Sequence, residues 1–60
     1  MQQKCIYAAK NIKQGKKIEF SDLAIKGPGG GILPKYIDIV IGRKVSHDIR
    51  KDTAINWNDV

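Results

Sequence analysis

Two stretches of this chain carry one pattern at a constant offset. KNIKQGKKIEFSDL (10–23) set above HDIRKDTAINWNDV (47–60) puts Ile12 on Ile49, Lys13 on Arg50, Ile18 on Ile55, Phe20 on Trp57, Asp22 on Asp59 and Leu23 on Val60, each 37 positions apart. Gly15 falls on Asp52, and both residue types tolerate turn conformations. Upstream, Ala8 falls on Val45. Such agreement implies one strand–turn–strand unit used twice and related by a pseudo-twofold. The chain has 60 residues, enough for one domain with a thin core, since a body of this size buries only about 60% of its unfolded surface. Two similar halves that clasp each other are an economical way to build such a core.

Between the halves lies IKGPGGGILP (25–34), which holds four of the six glycines and both prolines. Two readings stay open. In one, glycine permits unusual φ angles where the chain reverses, and proline limits the looseness glycine brings. In the other, bare backbone at Gly29, Gly30 and Gly31 lets another molecule approach closely.

The remaining segments read as short elements. KCIYAA (4–9) is a brief apolar strand, and Gly15 in QGK marks a tight turn. Ile18 and Phe20 alternate with Glu19 and Ser21, the pattern of a half-buried strand, before Ser21-Asp22 opens a turn. LPKYIDIVIG (33–42) reads as a short helix, with Pro34 at its first position, Ile37, Val40 and Ile41 on one face, and Gly42 as a left-handed cap. Cys5 and Trp57 are expected in the core.

Several function classes are set aside by composition. One cysteine forms no internal disulfide, and one Cys with one His supplies two ligands where structural zinc needs four. The 60 residues contain no apolar run of about 18 residues, and MQQKCIYAAKNIKQG has no continuous apolar stretch, so neither a membrane span nor a signal peptide is expected from them. Net charge is +5, but the basic residues are scattered and no nucleic-acid-binding motif accompanies them, so neither nucleic acid nor membrane is an expected partner. GPGGG lacks the Gly-Lys-Ser/Thr of a phosphate-binding loop. His47 and Asp48 are adjacent, and Ser46, as a strand neighbour of His47, is expected on the opposite face. The carboxylates are expected at turns or in solvent, with Asp22 and Asp59 accepting local backbone hydrogen bonds.

Taken in order, KCIYAAKNIKQGKKI, DLAIKGPGGGILPKY and IGRKVSHDIRKDTAINWNDV resemble the SAF domain. The resemblance is closest to the C-terminal antifreeze-like domain of bacterial sialic acid synthases and their relatives for legionaminic and pseudaminic acids. It runs from Lys4 to Val60.

This resemblance implies a mostly β fold, a β-clip of short strands, with a pseudo-twofold and one or two short helical turns. It implies one domain over 1–60, excised from the C-terminus of a longer cytoplasmic enzyme and not itself an enzyme. The parent would condense phosphoenolpyruvate with N-acetylmannosamine or a related amino sugar. A divalent metal, Mn or Mg, would sit in its N-terminal TIM barrel, and no cofactor in this domain. The domain would swap across a homodimer and cover the partner's active site with Lys26, Gly27, Pro28, Gly29, Gly30, Gly31 and Ile32 as the substrate-facing loop. Where the family carries an arginine aimed at the sugar's N-acetyl group, this chain has Gly27, so that role is not carried over. Lys26 is one replacement cation, and an acceptor that needs no such contact is the alternative. The same fold serves flagellar or pilus assembly proteins and type III antifreeze proteins. The stretch matching the ice-facing patch, KNIKQGKKIE, is too lysine-rich to make a flat, weakly hydrated plane. A stand-alone binding module is the remaining alternative.

Overall fold

A computed structural model describes residues 3–60. Strand β1 (Cys5–Ala8) pairs antiparallel with β2 (Leu23–Lys26), in the register Cys5↔Lys26, Ile6↔Ile25, Tyr7↔Ala24, Ala8↔Leu23. Single 3-10 turns occupy Phe20–Asp22, Pro34–Tyr36 and Trp57–Asp59, and a one-turn helix α1 spans Ile37–Val40. The expected helix over 33–42 is therefore split. Pro34 opens a 3-10 turn that runs into α1, and Gly42 follows in the left-handed region at φ +94°. Val40 is fully buried, while Ile37 packs half-buried against the core.

Backbone hydrogen bonds between the halves repeat at the offset of 37. Ile12 and Ile49 bond reciprocally, each N–H donating to the other's carbonyl at 2.7 and 2.8 Å. A residue paired with its own equivalent lies on the rotation axis. The Tyr7↔Ala54 bridge maps onto Lys44↔Lys17. The Ala8 N–H to Thr53 carbonyl bond (2.9 Å) maps onto Val45 to Lys16 (3.1 Å). Ile18 to Arg43 (2.8 Å) maps onto Ile55 to Ile6 (2.9 Å). Two side chains obey the same rule. Asp48 Oδ1 accepts the Gln14 N–H at 2.7 Å, and Asn11 Oδ1 accepts the Lys51 N–H at 2.8 Å. The hairpin tips, Gly15 and Asp52, both take positive φ, +85° and +66°.

The core gathers along this axis from Ile6, Ala8, Ile12, Ile18, Ile32, Val40, Val45, Ile49 and Ile55, with Cys5 also fully buried. Burying each isoleucine side chain is worth about 1.5–3 kcal/mol, and there are few of them. Phe20 and Trp57 do not join it. They are 71% and 46% exposed, against the expectation of a half-buried Phe20 and a core Trp57. The reason is local. Glu19 and Asn56 share φ −112° and ψ 161°, and the chain then turns into a 3-10 coil that swings the next side chain outward and ends the alternation. Asp22 and Asp59 fix those turns by accepting the Glu19 and Asn56 N–H at 3.0 and 2.9 Å. The Trp57 ring lies edge-on to Tyr36, with centroids 5.7 Å apart, and beneath the Arg43 guanidinium.

Asp22 accepts a local backbone hydrogen bond as expected, and it is also buried, being 1% exposed. Burial pushes its carboxyl up. Lys16 at 2.6 Å, the Glu19 N–H and Lys10 at 3.4 Å outweigh that push and hold it below the ordinary aspartate value. At the equivalent position Asp59 meets His47, the counterpart of Lys10, with Nε2 2.5 Å from Oδ1. Bonding to Asp22 in turn holds the Lys16 ammonium above its ordinary value.

Ile12→Ala and Ile49→Ala should each cost about 2–5 kcal/mol. Thermal melting should find both variants lowered in Tm by about 8–40 °C, at about 4–8 °C per kcal/mol for a domain of this size. The stabilisation from Asp22, whose carboxyl is depressed on folding, is complete above about pH 4 and is lost as pH falls through its lower folded value. Asp22→Asn should therefore flatten the acid limb of a melting-temperature profile while lowering stability at neutral pH.

Candidate functional site

The turn that leaves β2 and returns to the core contains the loop over 26–32. Gly27, Pro28, Gly29 and Gly30 are exposed, Gly31 is half-buried and Ile32 is 1% exposed. Ile32 therefore anchors the loop from inside. Its N–H donates to the Ile55 carbonyl at 2.9 Å, and its carbonyl accepts the Ile6 N–H at 2.9 Å. The part able to face another molecule narrows to Gly27–Gly30.

The glycines divide their duties. A Cβ on Gly29 would stand 2.7 Å from the Gln3 carbonyl oxygen, and one on Gly31 would stand 2.5 Å from that of Ile55. At both positions the absent side chain lets the loop lie against the chain's own backbone. Gly30 differs. Its φ of +147° is disfavoured for side-chain-bearing residues, and the space where its Cβ would project is open. Gly30 thus carries the unusual φ, while Gly29 and Gly31 permit the close approach of the chain to itself.

Three side chains grip the loop. The Tyr7 hydroxyl donates to the Pro28 carbonyl at 2.9 Å, and the buried Cys5 thiol lies 3.7 Å from the same oxygen. Lys26, considered above as a replacement cation, pairs with the Asp52 carboxylate, and its ammonium lies 5.6 Å from the Tyr7 ring centroid. The bond from Lys26 holds the Asp52 carboxyl below its ordinary value. Partial desolvation opposes this, and the charges of Lys26 and Lys51 add to it. Tyr7 and Asp52 were not among the expected loop residues. The visible signal was the mismatch at the repeat, aspartate at one hairpin tip where the other has glycine.

Other clusters are structural. Ser46 and His47, expected on opposite faces, come together because 46–47 is a bend, with Oγ 3.1 Å from Nδ1. With Asp59 at the far ring nitrogen this resembles a catalytic triad. A serine nucleophile must pass its proton to the imidazole, whereas the Ser46 hydroxyl donates to the Asn58 carbonyl at 2.8 Å. The chain of contacts ties down the C-terminal turn. A surface groove of about 440 Å³ runs along the pseudo-twofold between Asn11, Ile12, Lys13, Asp48, Ile49 and Arg50, and none of these belongs to the loop. Among the described residues no group of three His, Cys, Asp or Glu side chains is placed to hold a metal ion, and no helix is long and apolar enough to cross a membrane.

Comparison with known proteins agrees with this architecture. The SAF domain family matches residues 3–60. An uncharacterized protein of Methanocaldococcus jannaschii is 38% identical over 55 residues, which cover 92% of this chain and 16% of that protein. The pseudaminic acid synthase of Campylobacter jejuni is 32% identical over 54 residues, 90% of this chain and 16% of the synthase. The chain thus spans about a sixth of the length of these curated relatives. Two clasped half-units, a mostly non-helical β-clip and a family match over nearly every residue lead to one conclusion: this chain belongs to the SAF domain family.

Proposed function

We propose that this SAF domain is the C-terminal part of a cytoplasmic nonulosonic acid synthase and that its Gly27–Gly30 loop covers the active site of the partner subunit in a homodimer. The parent enzyme condenses phosphoenolpyruvate with N-acetylmannosamine or a related amino sugar in an N-terminal TIM barrel. The observation that carries this reading is an exposed, charge-poor loop tip seated on a rigid body at Gly29, Gly31 and Ile32. Similarity to pseudaminic acid synthase over a sixth of that enzyme's length supports the reading of a small domain joined to a larger catalytic part.

The chain's own contribution is positional. A stiff loop laid over the barrel excludes water and holds the amino sugar in line with phosphoenolpyruvate. A divalent Mn or Mg ion belongs, on this reading, to the barrel, where it supplies electrophilic activation. Lys26, at the loop's root, is paired with the Asp52 carboxylate. The exposed tip offers main-chain groups and Pro28. Such a cover suits an acceptor that needs no charged contact from this side.

Gly27→Arg in the complete gene product tests the reading. The ratio of kcat/KM values for N-acetylmannosamine and other N-acylated amino sugars should change by about tenfold or more, the usual range for a pocket-lining substitution. Unchanged selectivity and unchanged turnover would show that the loop does not face the acceptor.

A further inference from the structure

We infer that Tyr7, Lys26 and Asp52 are positioning residues that set the stance of the Gly27–Gly30 loop, and through it the affinity for the acceptor sugar. The consequence for the sugar rests on the cover reading above, while the clamp itself rests on geometry alone.

The pseudo-twofold supplies an internal control. Position for position, Tyr7 corresponds to Lys44 and Asp52 to Gly15. Around them the backbone is the same in both halves: Tyr7 bridges Ala54 as Lys44 bridges Lys17, and both hairpin tips have positive φ. Glycine meets the demand of such a tip without strain, as Gly15 does. Asp52 sits there at φ +66° as a residue with a Cβ, in a region that favours glycine. Folding the hairpin does not call for a carboxylate. What the carboxylate reaches is the Lys26 ammonium at the end of β2, one residue before the loop. At the equivalent sites, glycine (Gly15) stands at the tip and lysine (Lys44) in place of the tyrosine. Of the side chains that differ between the halves, Tyr7 bonds the loop itself and Asp52 bonds the lysine at its root.

The parts act on one short segment from two sides. Lys26 bridges Asp52 and the face of Tyr7, fixing where the loop begins. The Tyr7 hydroxyl then holds the Pro28 carbonyl, fixing the direction of the first exposed peptide. Gly29 and Gly31, lying against backbone oxygens, allow little sliding. Lys26 and Asp52 are partly exposed, so their pair alone fixes little. Its effect comes through the shared contact with Tyr7.

The test uses the complete gene product carrying Tyr7→Phe, Asp52→Asn, Asp52→Gly or Lys26→Arg. Asp52→Gly copies the tip of the other half and so keeps the turn while removing the carboxylate. Amide hydrogen exchange read by mass spectrometry over 26–32, which includes the Ile32 amide bonded to Ile55, should run about threefold to tenfold faster in Tyr7→Phe and in both Asp52 variants. Lys26→Arg, which keeps the pair, should exchange like the parent. Steady-state kinetics should show KM for the acceptor sugar raised about threefold or more in the loosened variants, with KM for phosphoenolpyruvate unchanged. Unaltered exchange over 26–32 in Tyr7→Phe and Asp52→Gly would overturn the clamp. Faster exchange with unaltered acceptor KM would uphold the clamp and overturn the cover reading.

Discussion

The reciprocal pairing of Ile12 with Ile49 is the contact on which the rest of this molecule depends. Two hydrogen bonds at 2.7 and 2.8 Å join equivalent residues across the pseudo-twofold, and both side chains enter the core. Once that register is set, the flanking backbone contacts between the halves follow in symmetric pairs. Ala8 meets Thr53 as Val45 meets Lys16, and the hairpin tips reach across to each other's strands. A core of nine small and branched residues leaves little surplus stability. The fold compensates by making its hydrogen bonds in symmetric pairs and by closing its turns with Asp22 and Asp59.

Symmetry accounts for the body, and departures from it account for the loop. The segment from β2 through Ile32 leads out of the first half and into the turns and helix that join the second. Its two ends are held by β1 on one side and by Ile55 on the other. Between them lie exposed residues 27–30 with few side-chain atoms. On the proposed reading this loop is a cover, stiff where it joins the body and bare at the tip that would face the partner subunit. That combination is what water exclusion over a small polar substrate asks for.

Much of this was legible in the residues. The offset of 37 identified the two halves, and Gly15 with Asp52 marked equivalent tips before any φ angle was known. Pro34 and Gly42 bracketed the helical turns in the expected places. Other features depend on tertiary contacts that sequence periodicity does not encode. Ile18 and Phe20 suggested strand alternation, but the turn fixed by Asp22 accepting the Glu19 N–H overrides it and sends Phe20 outward; Trp57 follows for the same reason. Asp22 is buried, and Lys10 and Lys16, neither of them its neighbour in sequence, both reach its carboxylate. Strand β2 has only four residues, and Leu23–Lys26 is recognisable as a strand chiefly through its pairing with β1. The glycines of the loop were visible, but which of them serve the body emerges only from the carbonyls of Gln3 and Ile55 beside them.

The central claim is that clasped half-units hold a bare loop over a catalytic pocket contributed by another subunit. A crystal structure of the complete gene product with phosphoenolpyruvate and an amino-sugar analogue bound examines that most directly. The account requires Gly27–Gly30 of one subunit to lie in contact, about 4.5 Å or less, with the acceptor bound in the partner's barrel. A loop facing solvent, or one packed on a surface remote from both ligands, would contradict it.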